Sequence, residues 1–443
     1  MQNLRIKAAQ TLQSILEDKV FFRELKKQFS EKDLPFANML ILTALRRYVA
    51  LHAVLHSFLS KKIPHKHRFA EYLLILAECE ILYMQTAPYA VINETVANIR
   101  HTTDRFLGGL ANAVLRKISA QKEALLKKIE TINPLPGNFL QILDGYSDAE
   151  IKQTAQSLNI LPPLDITVKE NPADWAEKLH ADLLPNGSLR LYNNPKIPLL
   201  AGYNDGAWWV QDAAASLPVQ TLPKDLHGLK ALDLCAAPGG KTAQLADSGA
   251  DVTAIDISAE RLETLKQNMK RLGLENVKTI AADALEFLQN NTEQFDIILL
   301  DAPCSATGTF RRHPEVLYIK TKDDVVQQAA LQKQLLSSCK SALKIGGELV
   351  YSTCSIAKEE GEIQIAEFVK KHSEFKICPI QDEQISIFGK WKDALITSQG
   401  FIRTLPFYAT SQNGMDSFFI CKLKTDFFEY SINRTTINFS KFI

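Results

Sequence analysis

From about residue 206 onward, short β-rich runs alternate with helical stretches. The runs are "KALDLCA", "DVTAIDIS", "VKTIAADA", "FDIILLDA" and "GGELVYSTCS". No other feature of this chain restricts its fold as much. A strand whose residues are apolar on both faces must be covered on both sides. The helical stretches between such strands supply the cover as right-handed crossovers. The expectation is an α/β region with a doubly wound parallel sheet. Its ligand edge would be the carboxyl ends of the strands, where open sheets of this kind bind small molecules.

The first of those strands leads into "LKALDLCAAPGGKTAQLA" (229–246), a strand, a glycine-rich turn and a helix. Glycines let the backbone approach a ligand, and a helix start offers unpaired N–H groups. A triphosphate-binding loop needs G-x-x-x-x-G-K-[ST]. Gly240-Lys241-Thr242 matches its end, but the first glycine falls on Cys235. A dinucleotide loop needs G-x-G-x-x-G, which "CAAPGGKTA" does not supply. S-adenosylmethionine has no phosphates. It asks for a short loop around its methionine part and carboxylates for its ribose hydroxyls and adenine amine. Asp256 closes the second strand, Asp283 follows the third, and Asp301 ends the fourth, while Asp233 lies within the first. One such aspartate is commonly a cap or turn residue. Three after successive strands point to S-adenosylmethionine.

Two cysteines sit just past strands, in "LLDAPCSATGTFRRHPE" (299–315) and "LVYSTCSI" (349–356). A methyl donor beside a cysteine suggests methylation at carbon 5 of a pyrimidine. That carbon is too electron-poor to attack a sulfonium methyl until a thiolate adds at C6. The addition also calls for a hydrogen-bond donor or acid at cytosine N3, and Asp301 is placed for that role if it carries or shares a proton. Cys304 and Cys354 are both candidates for the nucleophile on this reasoning. Cys79, Cys339, Cys378 and Cys421 read as packing residues, and Cys235 as packing within the glycine loop. The seven cysteines are odd in number, are widely spaced and include no C-x-x-C pair, so neither a disulfide framework nor a structural zinc site is expected. The N-terminal "MQNLRIKAAQTLQSILEDKV" lacks a signal-type apolar core, and "FAEYLLILAECEILYMQ" carries glutamates and reads as a buried helix. A cytoplasmic monomer without a membrane or metal partner is the expectation.

Residues 1–135 read as helices almost throughout, with breaks at "KIPHKHR" and "QTAPYAV". Residues 136–205 suggest a small α+β module, 206–424 the catalytic domain, and 425–443 a tail. Net charge is +1, but Lys and Arg exceed Asp and Glu by twenty to twelve within residues 1–130, against thirty-one to thirty-eight beyond. A basic helical region beside an acidic body suits a polyanionic partner. Arg311, Arg312 and His313, next to the first cysteine loop, and Lys61, Lys62, Lys66 and Arg68 are the candidates for phosphate contact.

Together, "LDLCAAPGGKT", "DAPCSATGTFRRHPE" and "LVYSTCSI" followed by two glutamates resemble the RsmB/Sun family of RNA cytosine-5 methyltransferases. The similarity extends through "WWVQDAAAS" (208–216) and "RTLPFYATSQNGMDSFFICKL" (403–423). "APYAVINETVANIR" and "LGGLANAVLRKI" resemble a NusB-like RNA-binding domain. The resemblance implies methylation of a cytosine in small-subunit (16S) ribosomal RNA, at a loop or unpaired site. It also implies that Cys354 attacks C6 and that Cys304 assists release, whereas DNA cytosine-5 methyltransferases attack through the Pro-Cys cysteine. The cofactor contacts it implies are Cys235, Ala236, Ala237, Pro238, Gly239, Gly240 and Lys241, with Asp256, Asp283 and Asp301. Asp416 is followed here by Ser417, where the family has glycine. Two readings compete with this one. The first is the same chemistry on transfer RNA, and the second is a non-catalytic rRNA-binding assembly factor. The intact Cys354, Cys304 and Asp301 argue against the second.

Overall fold

The computed structural model describes residues 4–192, 195–380 and 389–425. All of the tail but Thr425 therefore lies outside the described residues.

The N-terminal part is a bundle of helices, principally Leu4–Leu16, Leu34–Ser57, Arg68–Tyr83, Pro88–Arg100 and Gly108–Ala120. Pro35 and Pro88 stand in the first turns of their helices, where a missing N–H removes no hydrogen bond. Leu34–Ser57 is long and apolar enough to cross a membrane by length and composition alone, but half of that stretch is buried in the bundle core. The bundle does not stop at residue 135. Helices Gly137–Ile142 and Asp148–Ser157 follow, the second started by a Ser147/Glu150 capping box. Phe139, Ile142, Leu143, Ala155 and Leu158 join the same apolar core. The prolines at 134 and 136 bend the chain without ending the domain.

A small antiparallel sheet comes next, in the order β2-β3-β1-β4, from β1 (Leu164–Val168), β2 (Asp182–Leu183), β3 (Leu189–Leu191) and β4 (Trp208–Val210). The boundary expected at 205/206 cuts this sheet, because β4 pairs with β1. Sequence periodicity missed β4 because strands of three residues carry too little pattern.

The catalytic sheet is formed by β5 (Lys230–Leu234), β6 (Asp251–Asp256), β7 (Val277–Ala281), β8 (Phe295–Asp301) and β9 (Leu343–Thr353) in the order β9-β8-β5-β6-β7, all parallel. The order reverses at β5, which places a topological switch point at the glycine loop. β12 (Phe419–Thr425) adds antiparallel to β9, and β10 (Phe375–Ile377) and β11 (Ile402–Arg403) flank β12. The sheet is therefore mixed, not purely parallel. Phe310, Val316, Leu317 and Ile356, from the segments after β8 and β9, bury into the helical core. The bundle is thus packed directly behind the loops that carry both cysteines.

Candidate active site

Parallel pairing of β8 with β9 sets Asp301 opposite Ser352. Both chains then leave the sheet at the same edge, and Ala302 N–H still donates to the Ser352 carbonyl. Further on, Gly308 N–H donates to the Cys354 carbonyl at 2.9 Å. A Cβ on Gly308 would lie 2.2 Å from the Ser417 carbonyl oxygen, so no larger residue permits this approach. Cys304 Sγ lies 3.3 Å from Cys354 Sγ. The hydrogen bond with Cys354, reinforced by removal from water, holds the Cys304 thiol well above its usual pKa.

Lys241 Nζ, from the glycine loop, lies 2.8 Å from Asp301 Oδ2, and Ser352 Oγ donates to Asp301 Oδ1 at 2.8 Å. Burial alone would lower the Lys241 ammonium pKa, but the neighbouring Asp301 carboxylate leaves it raised. Both Asp301 oxygens act as acceptors in this arrangement. Asp301 therefore meets the site already paired with Lys241.

The loop from Cys235 to Gly240 turns sharply, with φ of 63° at Cys235 and 102° at Gly239. The positive angle at Gly239 and its contact with Leu265, which a Cβ would approach to 2.8 Å, are why glycine stands there. Burial pushes the Cys235 thiol up to about 12, as suits a packing residue. Asp256 is buried and accepts from Ala237 N–H at 3.1 Å and Ser258 N–H at 3.0 Å, with Arg261 3.2 Å away. Asp283 is exposed and caps the helix Ala284–Asn290 through Leu285 and Glu286 N–H. Asp233 is fully buried beneath the loop. Its Oδ2 accepts from Thr242, its Oδ1 is without a partner, and burial pushes it up to about 7. These residues fit S-adenosylmethionine and not a polyphosphate. Carboxylates line the edge where a cationic sulfonium and a ribose diol would lie, and the one loop lysine is already engaged by Asp301.

Sequence reasoning noted Glu360 only as the second of the two glutamates after "LVYSTCSI" and gave it no role. This buried carboxylate accepts from Ser305 N–H at 2.8 Å, Gln332 Nε2 at 2.9 Å, and the hydroxyls of Ser305 and Ser355. It thereby ties the residue after each cysteine to one anchor. The repeated Cys-Ser in the two motifs was the available signal. Arg311 and Arg312, by contrast, are not phosphate contacts in this fold. Arg311 is 1% exposed and donates to the Met415 carbonyl, and Arg312 pairs with Asp416 at 3.0 Å and with Asp212. The loops that frame the site engage most of their donors, although Arg311 Nε is left without a partner, and only His313 of that trio is exposed.

Residues 222–424 match the family model for the 16S rRNA methyltransferase RsmB/F, and residues 2–120 match the NusB family. The ribosomal RNA small subunit methyltransferase B of Salmonella arizonae is 32% identical over 390 residues, covering 83% of this chain and 90% of that protein. The Shigella sonnei protein of the same name is 32% identical over 398 residues, covering 85% and 92%. The chain belongs to the RsmB/F family of 16S rRNA methyltransferases. It is accordingly an S-adenosylmethionine-dependent methyltransferase of small-subunit rRNA, with a NusB-like helical domain at its N-terminal end. Solved structures bear out the fold of this RsmB/F member. The crystal structure of PH0851 superposes with a TM-score of 0.70 at 22% identity, covering 96% of this chain and 99% of that one. NSun6 from Pyrococcus horikoshii, determined with SFG, covers 66% of this chain and 98% of its own at a TM-score of 0.55 and 20% identity.

Proposed function

We propose that this RsmB/F member methylates C5 of an unpaired cytosine in 16S rRNA, with Cys354 as nucleophile and Cys304 as the releasing group. The observation that carries the reading is the 3.3 Å contact between the two sulfurs beside the Lys241–Asp301 pair. Cys354 lies in hydrogen-bond contact with Cys304 and close enough to the Lys241 ammonium to interact with its charge, a setting suited to a nucleophilic thiolate.

The cytosine enters flipped from its stack, since its C6 must meet a partly buried sulfur. The Cys354 thiolate forms an S–C6 bond, and the C5–C6 π pair moves into the ring toward N3 and O2. The Lys241–Asp301 pair holds a proton against that developing negative charge. S-adenosylmethionine, when bound, would be held by Cys235–Lys241 with Asp256, Asp283 and Asp301 and would supply the electrophilic methyl group that C5 attacks. Bonding to C6 removes the Cys354 charge that kept Cys304 protonated. Cys304, only partly buried, then gives its proton to solvent and, as thiolate, takes the C5 proton. The C–H pair re-forms C5=C6, the S–C6 bond breaks, and Cys354 leaves as thiolate.

The test is trapping. Cys304→Ala and Cys354→Ala proteins are incubated with small-subunit RNA and S-adenosylmethionine, then denatured. The expected result is a denaturation-resistant protein–RNA adduct with Cys304→Ala and none with Cys354→Ala. An adduct only with Cys354→Ala would reverse the two roles. No adduct and no methylation by the unaltered protein, on 16S fragments, would sink the assignment of substrate.

A further inference from the structure

His52 and His56 lie one turn apart on the helix Leu34–Ser57, and Glu71 stands in the first turn of the helix Arg68–Tyr83 packed against it. Glu71 is buried, with a side chain 7% exposed, and both imidazoles face the same oxygen. His56 Nε2 is 2.8 Å from Glu71 Oε1 and His52 Nε2 is 3.3 Å from it, and one ligand atom from each residue lies within 4.8 Å of the others. The rings themselves stand 4.1 Å apart, centroid to centroid. Zinc bonds to imidazole nitrogen and carboxylate oxygen measure about 2.0–2.2 Å, so tetrahedral edges between such donors measure about 3.3 Å. Both imidazole nitrogens thus stand near the separation from the carboxylate oxygen that one ion would impose. His52 is 43% exposed, which leaves the outer side open for water as a fourth ligand.

We propose that His52, His56 and Glu71 form a site for a divalent transition-metal ion, zinc or a metal of similar preference. Two imidazoles and one carboxylate suit zinc, cobalt or nickel better than magnesium or calcium, which take oxygen donors. An ion here fastens the second half of one helix to the start of the next. It thereby fixes both ends of the loop Phe58–His67, where Lys61, Lys62 and Lys66 are exposed. The site belongs to the helical domain and is independent of the methylation chemistry.

The full-length protein, stripped with a chelator, is titrated with cobalt(II) and followed by absorption, with zinc uptake measured by equilibrium dialysis. Cobalt distinguishes this site from the Cys304–Cys354 thiols, because thiolate ligation adds a near-ultraviolet charge-transfer band that nitrogen and oxygen ligands lack. The expected result is one equivalent showing d–d bands alone, and a zinc-dependent rise in melting temperature. Both are lost in His52→Ala/His56→Ala and, separately, in Glu71→Gln, while circular dichroism of the apo proteins is unchanged. Binding that carries only the thiolate band, bands that persist in the double variant, or no stoichiometric uptake would each overturn the site.

Discussion

Two basic stretches look alike as sequence, Lys61-Lys62 with Lys66, and Arg311-Arg312 with His313. The structure separates them. The lysines stand exposed in the segment between two helices. The arginines lie in the loop that closes behind both cysteine motifs. There the backbone of residues 413–415 and the carboxylates of Asp212 and Asp416 require donors. A guanidinium, with five donors in a planar fork, serves several such acceptors at once, whereas an ammonium is a compact, strongly hydrated charge. A run of positive charge therefore predicts nucleic-acid contact only where nothing inside the protein claims it.

The largest expected effect tests the buried side of this contrast. Arg312→Ala leaves Asp212 and Asp416 without their cation and should lower folding stability by about 3–5 kcal/mol, read from the denaturant midpoint. A variant of unchanged stability that loses RNA affinity would break the comparison. Next comes Glu360→Gln, which removes an acceptor shared by the backbone of Ser305 and the hydroxyls of Ser305 and Ser355. Small displacement of the two cysteines should reduce methylation turnover on the order of 10²-fold with RNA affinity retained, as separate binding and single-turnover measurements would report. Equal turnover would mean that the two loops hold their register without Glu360. The smallest effect on the fold belongs to the exposed side. Replacing Lys61, Lys62 and Lys66 by Ala should leave stability within about 0.5 kcal/mol. If all three reach phosphates, the slope of log affinity against log salt flattens by about 2. An unaltered slope would move the RNA contact elsewhere.

Much of the fold was legible because strand and helix periods are local. The glycine loop, the strand-end aspartates and the two Cys-Ser turns all appear in the sequence, each just past its own strand. The adjacency of Cys304 and Cys354 was also readable, since β8 and β9 follow one another with a single crossover. Glu360 was not readable as an anchor. Its partners are 55, 28 and 5 residues away, and that a glutamate inside a recognised motif accepts from both loops is visible only once the chain has folded. The shared core of the bundle and the cysteine loops was hidden for the same reason, as was β4, whose three residues gain their meaning only by pairing with β1.

The sequence by itself determined the layered architecture, the donor-binding edge and the two thiols, because each follows from residues within a few positions of one another. Tertiary structure alone decided which charges face solvent, that Asp301 is held by Lys241, and that both cysteine turns share one anchor. Those are questions of desolvation and of long-range pairing, and their energies depend on what surrounds a side chain after the chain has closed.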